Sequence, residues 1–292
     1  MPKHPLAEVF GFPPGNLTDE AERHRLKRLC PYNNRVPNCT KDKAKDPLGV
    51  CSVFEDEKIV VTCPIRFRQN WIIADEAAEF FFPPSVSWTS LTEVRLPDKN
   101  GRTAGNIDVV MVAYDERERV IDFGSLEVQA VYISGNIRNA FEYYMIDPKS
   151  RHDMTWTGPN YPRPDYLSSS RKRLAPQLIY KGGILNKWGK KMAVVVDKHF
   201  FSTLPSLPET GPEKADIAWL VYELMFDATQ NQCNLVRNRV VYTPFAQTLT
   251  SITTSEPGLV DDFIEHLQQK LDEKLENGYP PDSPVLTDFF EE

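Results

Sequence analysis

The sequence predicts an α/β fold, a mixed β-sheet flanked by helices. Helical and extended patterns alternate along the chain. Two β-rich runs, 105–114 and 120–133, are separated only by the charged linker Asp115-Glu116-Arg117-Glu118-Arg119 and read as a hairpin. A third run, Met192-Ala193-Val194-Val195-Val196, is wholly apolar and suits a central strand covered on both faces.

The elements follow in order. Thr18 suits an N-cap, Asp19 and Glu20 the first turn, and Lys27 and Arg28 the last, so a helix is predicted over 19–29. It leads into Cys30 and a stretch rich in turn formers: Pro31, Asn33, Asn34, Pro37, Pro47 and Gly49. We therefore expect a loop-rich region at 1–70 that needs a staple, followed by a core with insertions at 71–292. A helix over 72–82 is stopped by Pro83-Pro84, a strand over 91–96 carries Glu93, and Lys99-Asn100-Gly101 is a turn. Beyond the hairpin the pattern predicts helices over 136–146, 214–226 and 258–275, a loop at 159–164, and strands over 191–197 and 235–245. No internal repeat and no glycine-rich phosphate loop occurs, which argues against nucleotide hydrolysis.

With 292 residues the chain can bury a full core in one large domain or two small ones. The N-terminus, Met1-Pro2-Lys3-His4-Pro5-Leu6, lacks a signal peptide's apolar region, and no apolar run is long enough to span a membrane. The expected location is the cytoplasm, where cysteines are reduced, metal-bound or catalytic rather than paired. The net charge of −7 argues, taken alone, against nucleic acid. Its distribution argues the other way. Between Arg151 and Lys191 stand nine Lys or Arg against two Asp, while residues 251–292 hold two Lys against eleven acids. Both stretches could be solvated surface, but Trp156, Tyr161, Tyr166, Tyr180 and Trp188 punctuate the basic one. Candidate DNA contacts are Arg102, Arg163, Ser168, Arg171, Lys172, Arg173 and Lys181, with His152 beside them.

The chemistry concentrates in the hairpin. Asp108 sits near the start of its first strand, and Glu127 and Gln129 lie on the second. If Tyr114 faces Ile121, Asp108 faces Glu127 with Cα atoms about 4.5–5.5 Å apart. Gln129, two residues on, shares that face. A bulge would spoil this register. No Lys or Arg lies inside either strand to pair with the acids, and two hard oxygen ligands on a rigid sheet suit Mg²⁺. The competing reading puts Asp108 at the solvent edge and turns Glu127 outward.

Cys30, Cys39, Cys51 and Cys63 follow a C-x8-C-x11-C-x11-C spacing without a C-x2-C knuckle, and Cys233 stands apart. Four thiolates suit tetrahedral zinc or iron. Four reduced core cysteines, or Cys–His catalysis drawing on His4, His24, His152, His199 or His266, are the alternatives.

One Asp followed by Glu-x-Gln resembles the PD-(D/E)XK nuclease core, with Gln129 where Lys usually stands. Together with the cysteine block, its Cys39-Thr40-Lys41 and Asp46-Pro47-Leu48-Gly49-Val50-Cys51, and the 158–173 segment GPNYPRPDYLSSSRKR, the chain resembles the NotI family of type II restriction endonucleases over residues 10–200. The resemblance implies a restriction-endonuclease-like core with a small N-terminal four-cysteine metal unit. It implies a homodimer that cuts both strands of a GC-rich palindrome in double-stranded DNA. Mg²⁺ would be held by Asp108 and Glu127, with Gln129 orienting water. A structural metal, iron ahead of zinc, would sit on Cys30, Cys39, Cys51 and Cys63, and a cognate methyltransferase would act at the same DNA site. Two other readings stay open: a metal-stapled, sequence-specific DNA-binding protein without cleavage, which the missing Lys at 129 favours, and a structure-specific DNA repair nuclease.

Overall fold

A computed structural model describes residues 4–33, 36–43, 45–255 and 257–276. Residues 1–253 cluster as one compact unit and 254–292 as a second.

Three strands, β1 (Leu6–Val9), β2 (Val50–Glu55) and β3 (Lys58–Val61), form a small antiparallel sheet in that order. Helix α1 (Asp19–Lys27) starts as its sequence dictates: Thr18 Oγ1 accepts the Ala21 N–H at 3.4 Å, and acids fill the first turn. It stops before residue 29 because Arg28 turns into the left-handed region, at φ 54°.

This small sheet is tied to the rest through buried polar groups. Glu8, on β1, accepts from Ser52 Oγ at 2.9 Å and from Arg66 Nε at 2.9 and 3.0 Å. Arg66 in turn donates to the Cys233 carbonyl at 2.8 Å. The Val61 N–H donates to the Asp197 carboxylate at 3.0 Å.

Helix α2 (Ile72–Phe81) buries Ile73, Ala74, Ala77, Ala78, Phe80 and Phe81 and ends at the expected prolines. Next come β4 (Ser87–Pro97), β5 (Thr103–Tyr114) and β6 (Val120–Gln129), an antiparallel meander. The run expected to reach residue 133 breaks after Gln129, and Tyr132–Ser134 pairs separately with Arg163–Asp165. Helix α3 (Ile137–Ile146) is capped by Asn136, whose side chain accepts the Asn139 N–H. Residues 166–187 form one helical path, α4, containing two wider π-helical turns at Ser170–Leu174 and Leu178–Gly182.

The main sheet is completed by β7 (Met192–Asp197), β8 (Ile217–Asp227) and β9 (Gln232–Thr243), in the order β9-β8-β7-β6-β5-β4. β6, β7 and β8 run parallel, and β9 returns antiparallel. Alternating side chains divide the core into two layers. Met111, Leu126, Val128, Ala193, Val195 and Leu220 pack with α2, whereas Val194, Val196, Trp219 and Val221 pack with Phe141, Leu174, Leu178 and Leu185. The expected mixed sheet between helices is what forms.

The stretch 214–226, expected as a helix, lies largely in β8 instead. Ile217 through Tyr222 are all buried, because both faces of this strand are covered. A short continuous apolar run carries no period to separate strand from helix, and pairing with β7 and β9 decides.

Helix α5 (Phe245–Thr253) closes the first unit. In the second, α6 (Val260–Glu276) is helical as expected, with Phe263, Ile264, Leu267 and Leu271 exposed. From residue 277 on, the acidic tail lies outside the described residues. Among those described, no helix is long and apolar enough to cross a membrane.

Candidate active site

β5 and β6 pair in register from Val109↔Leu126 to Ala113↔Asp122, and a bulge then places Tyr114 against Val120 instead of the expected Ile121. The bulge lies at the hairpin end and leaves the inner register as the sequence predicts. That register points Asp108 towards Glu127. Where the ladder ends, Asp108 Oδ2 accepts the Val128 N–H at 3.0 Å.

Strand alternation sends Leu126 and Val128 into the α2 layer and Ser125, Glu127 and Gln129 to the opposite face, where their exposures are 0, 1 and 0%. β7 flanks β6 on its other side, pairing Val194 with Glu127 and Val196 with Gln129. The acid therefore sits on a strand braced by neighbours on both edges.

α4 crosses this face and delivers a residue that sequence reasoning had grouped with the DNA contacts. Lys181 is 6% exposed, and its Nζ donates to Glu127 Oε2 at 2.7 Å. Ser125 Oγ donates to Glu127 Oε1 at 3.3 Å. Room for the lysine stem comes from Gly105 on β5: its φ of +118° suits glycine, and a Cβ there would stand 3.3 Å from Lys181 Cε. The strands lack a basic residue, as read from sequence, but a helix 54 residues away along the chain supplies one. Nothing in the sequence pattern links positions 127 and 181.

Burial, and after it the Asp108 charge, raise the Glu127 carboxyl to about 7 against the opposing pull of Lys181 and Ser125. Gln129 contrasts with this satisfied pair. Both its Nε2 and its Oε1 are buried without a hydrogen-bond partner, an arrangement that costs about 1–3 kcal/mol per group in a folded interior. Two carboxylates and an orphaned amide on one sheet face fit a hard divalent cation and its ligands. Glu93 lies on β4 between the pairs Thr92↔Val109 and Val94↔Ile107, exposed and at φ 58°.

The remaining DNA candidates fall elsewhere. Arg163, Arg171 and Lys172 are exposed, Ser168 is half-buried in the first turn of α4, and Arg173 lies over the Tyr132 ring, 5.4 Å from its centroid. These five share the start of α4 and the strand leading into it. Arg102 is exposed at the β4–β5 turn, where its carbonyl accepts the Asp98 N–H.

Cys30, Cys39, Cys51 and Cys63 are all free thiols. Burial pushes Cys30 up to about 12 and raises Cys39 and Cys51, and the charge of Cys63 adds to the rise in all three, so the four share a neighbourhood. Lys41 enters the same neighbourhood, donating to the Val50 carbonyl at 2.6 Å and Thr62 Oγ1 at 3.3 Å. Among the described residues, however, no group of three or more His, Cys, Asp or Glu side chains is placed so as to hold a metal ion.

The chain matches none of the curated proteins. Residues 16–235, which span the cysteine region, both carboxylate strands and α4, match the family model of restriction endonuclease NotI, and the chain belongs to that family.

Proposed function

We propose that this protein is a type II restriction endonuclease that makes Mg²⁺-dependent double-strand cuts at a GC-rich palindrome. Its family gives it a nuclease-type, hydrolytic function. One observation carries the metal-dependent chemistry, while the GC-rich palindrome rests on the family resemblance: the Asp108 carboxylate, the buried Glu127 and the unpartnered amide of Gln129 share the end of the β5–β6 ladder.

Asp108 and Glu127 would hold the cation, which would supply Lewis-acid polarisation of a phosphate oxygen. Gln129 offers an acceptor and a donor able to orient the attacking water, but being neutral it takes up no proton. Ser125 and Lys181 fix the two oxygens of Glu127, so that its geometry is set before substrate arrives. Arg163, Ser168, Arg171, Lys172, Arg173 and Arg102 provide cationic and hydroxyl groups for phosphates and guanine edges. A palindromic target calls for a two-fold homodimer. A methyltransferase of the same specificity would protect cellular DNA in the cytoplasm without necessarily binding this chain.

Within this reading, residues 1–70 are the cysteine-stapled region and 71–292 the nuclease core. A structural metal on the four cysteines, iron ahead of zinc, is supported by their shared buried neighbourhood and opposed by the absence of a ligating arrangement among the described residues. Metal analysis of the purified protein decides it.

The function is tested by digesting a large, sequence-diverse DNA with Mg²⁺ beside Asp108→Ala and sequencing the ends. Discrete fragments that vanish in the variant support a site-specific endonuclease. Intact duplex in both lanes overturns it, and tight specific binding without cutting then identifies the DNA-binding alternative.

A further inference from the structure

A phosphodiester-cleaving site gathers negative charge as the attacking and leaving oxygens share the phosphorus, and a fixed cation is worth most in a site closed to water. Position 129 supplies none. Among the described residues, Lys181 is the cation in hydrogen-bond contact with the Glu127 carboxylate.

Three features of the chain converge on that ammonium. The π-helical turn Leu178–Gly182 contains Lys181, and such turns recur at functional sites because the added residue re-aims side chains that a regular helix would direct elsewhere. Gly105 leaves space for the stem. The side chain is buried, although its companions Arg171 and Lys172 on the same helical path are exposed. Stability alone does not explain the arrangement, since a buried ion pair contributes little compared with an apolar pair of the same volume.

We infer that Lys181 is the catalytic cation of this site, taking from α4 the place that Gln129 leaves without charge, and that it shares Glu127 with the divalent cation. The assignment rests on the nuclease reading above. In the DNA-free protein the ammonium neutralises Glu127. With a divalent cation held by Glu127, the Lys181 ammonium would be free to face a non-bridging oxygen of the scissile phosphate. Lys181 transfers no proton and forms no covalent bond. It differs from Arg171 and Lys172 in acting on rate rather than on DNA affinity.

The test compares wild type, Lys181→Met and Lys181→Arg by three measurements: Mn²⁺ binding to the DNA-free protein by calorimetry, DNA affinity in Ca²⁺, and single-turnover cleavage in Mg²⁺. Lys181→Met should bind Mn²⁺ about tenfold more tightly once the competing positive charge is gone. It should cleave about 100-fold more slowly, while DNA affinity stays within about threefold. Lys181→Arg should recover part of the rate. Unchanged Mn²⁺ affinity, an unchanged cleavage rate, or a loss of DNA affinity that matches the loss of rate each overturns the assignment. Wild type that leaves DNA intact overturns the nuclease reading instead, so the two failures are distinct. Thermal melts report folding, and if Lys181→Met does not fold, Lys181→Gln, which keeps a donor to Glu127, is read by the same criteria.

Discussion

Asp108 Oδ2 accepts the backbone N–H of Val128 at 3.0 Å, so the carboxylate of one strand is fixed to the partner strand beside Glu127. This bond orients Asp108 and brings its charge close enough to Glu127 to raise the carboxyl there. Asp108→Asn should therefore lower the Glu127 pKa below about 7 and, with one acidic ligand gone, reduce cleavage by a factor on the order of 10³. Carboxyl-selective ¹³C NMR and single-turnover rates check both.

Gln129 holds two unpaired polar atoms in the interior. Gln129→Met keeps the approximate volume and removes both, so the DNA-free protein should gain about 1–3 kcal/mol of stability for each group removed. Cleavage should fall with it. A melting temperature that drops, or cutting that persists, counts against the role given to the amide.

Glu8 and Arg66 form an ion pair with both side chains at 0% exposure. Arg66→Met leaves a buried carboxylate without its cation and should cost about 3–5 kcal/mol. Urea denaturation measures it. Because the pair joins β1 to the segment ahead of α2, loss of cooperativity should appear first around residues 4–70 in hydrogen exchange.

Asp197 is fully buried, and burial raises its carboxyl to about 6 despite N–H donors from Val61, His199 and Phe200. The folded state then holds this proton more tightly than the unfolded chain, whose carboxyl stays at 3.8. Its stabilising contribution is complete below 3.8 and is lost as pH rises through about 6. Asp197→Asn keeps an acceptor for these N–H groups and removes the titration, so the stability difference between wild type and variant should change by about 3 kcal/mol across that window. A difference that is flat in pH refutes this account.

The hairpin was legible because its information is local: an apolar pattern of period two and a short charged linker fix which residues of β5 and β6 face each other. The bulge was anticipated as a hazard, yet its position at Tyr114 depends on the geometry of the turn. β8 was misread because Ile217 to Tyr222 is apolar on both faces and only sheet neighbours reveal why. Lys181 reads from sequence as one basic residue among several, since its contact with Glu127 depends on how a π-bulged helix crosses a sheet. The cysteine spacing, without a C-x2-C knuckle, is a moderate metal signal, and spacing alone does not state the placement that ligation requires.

The position of the bulge also bears on how this protein can change. An irregularity at Ala113/Tyr114 takes up a mismatch in strand length before it reaches the inner ladder. The Asp115–Arg119 turn is thus mechanically insulated from the carboxylates, and residues may be added or lost there while Asp108 and Glu127 stay in phase. Such a turn is free to drift, or to accept an inserted tag, beside a site that tolerates no slip at all.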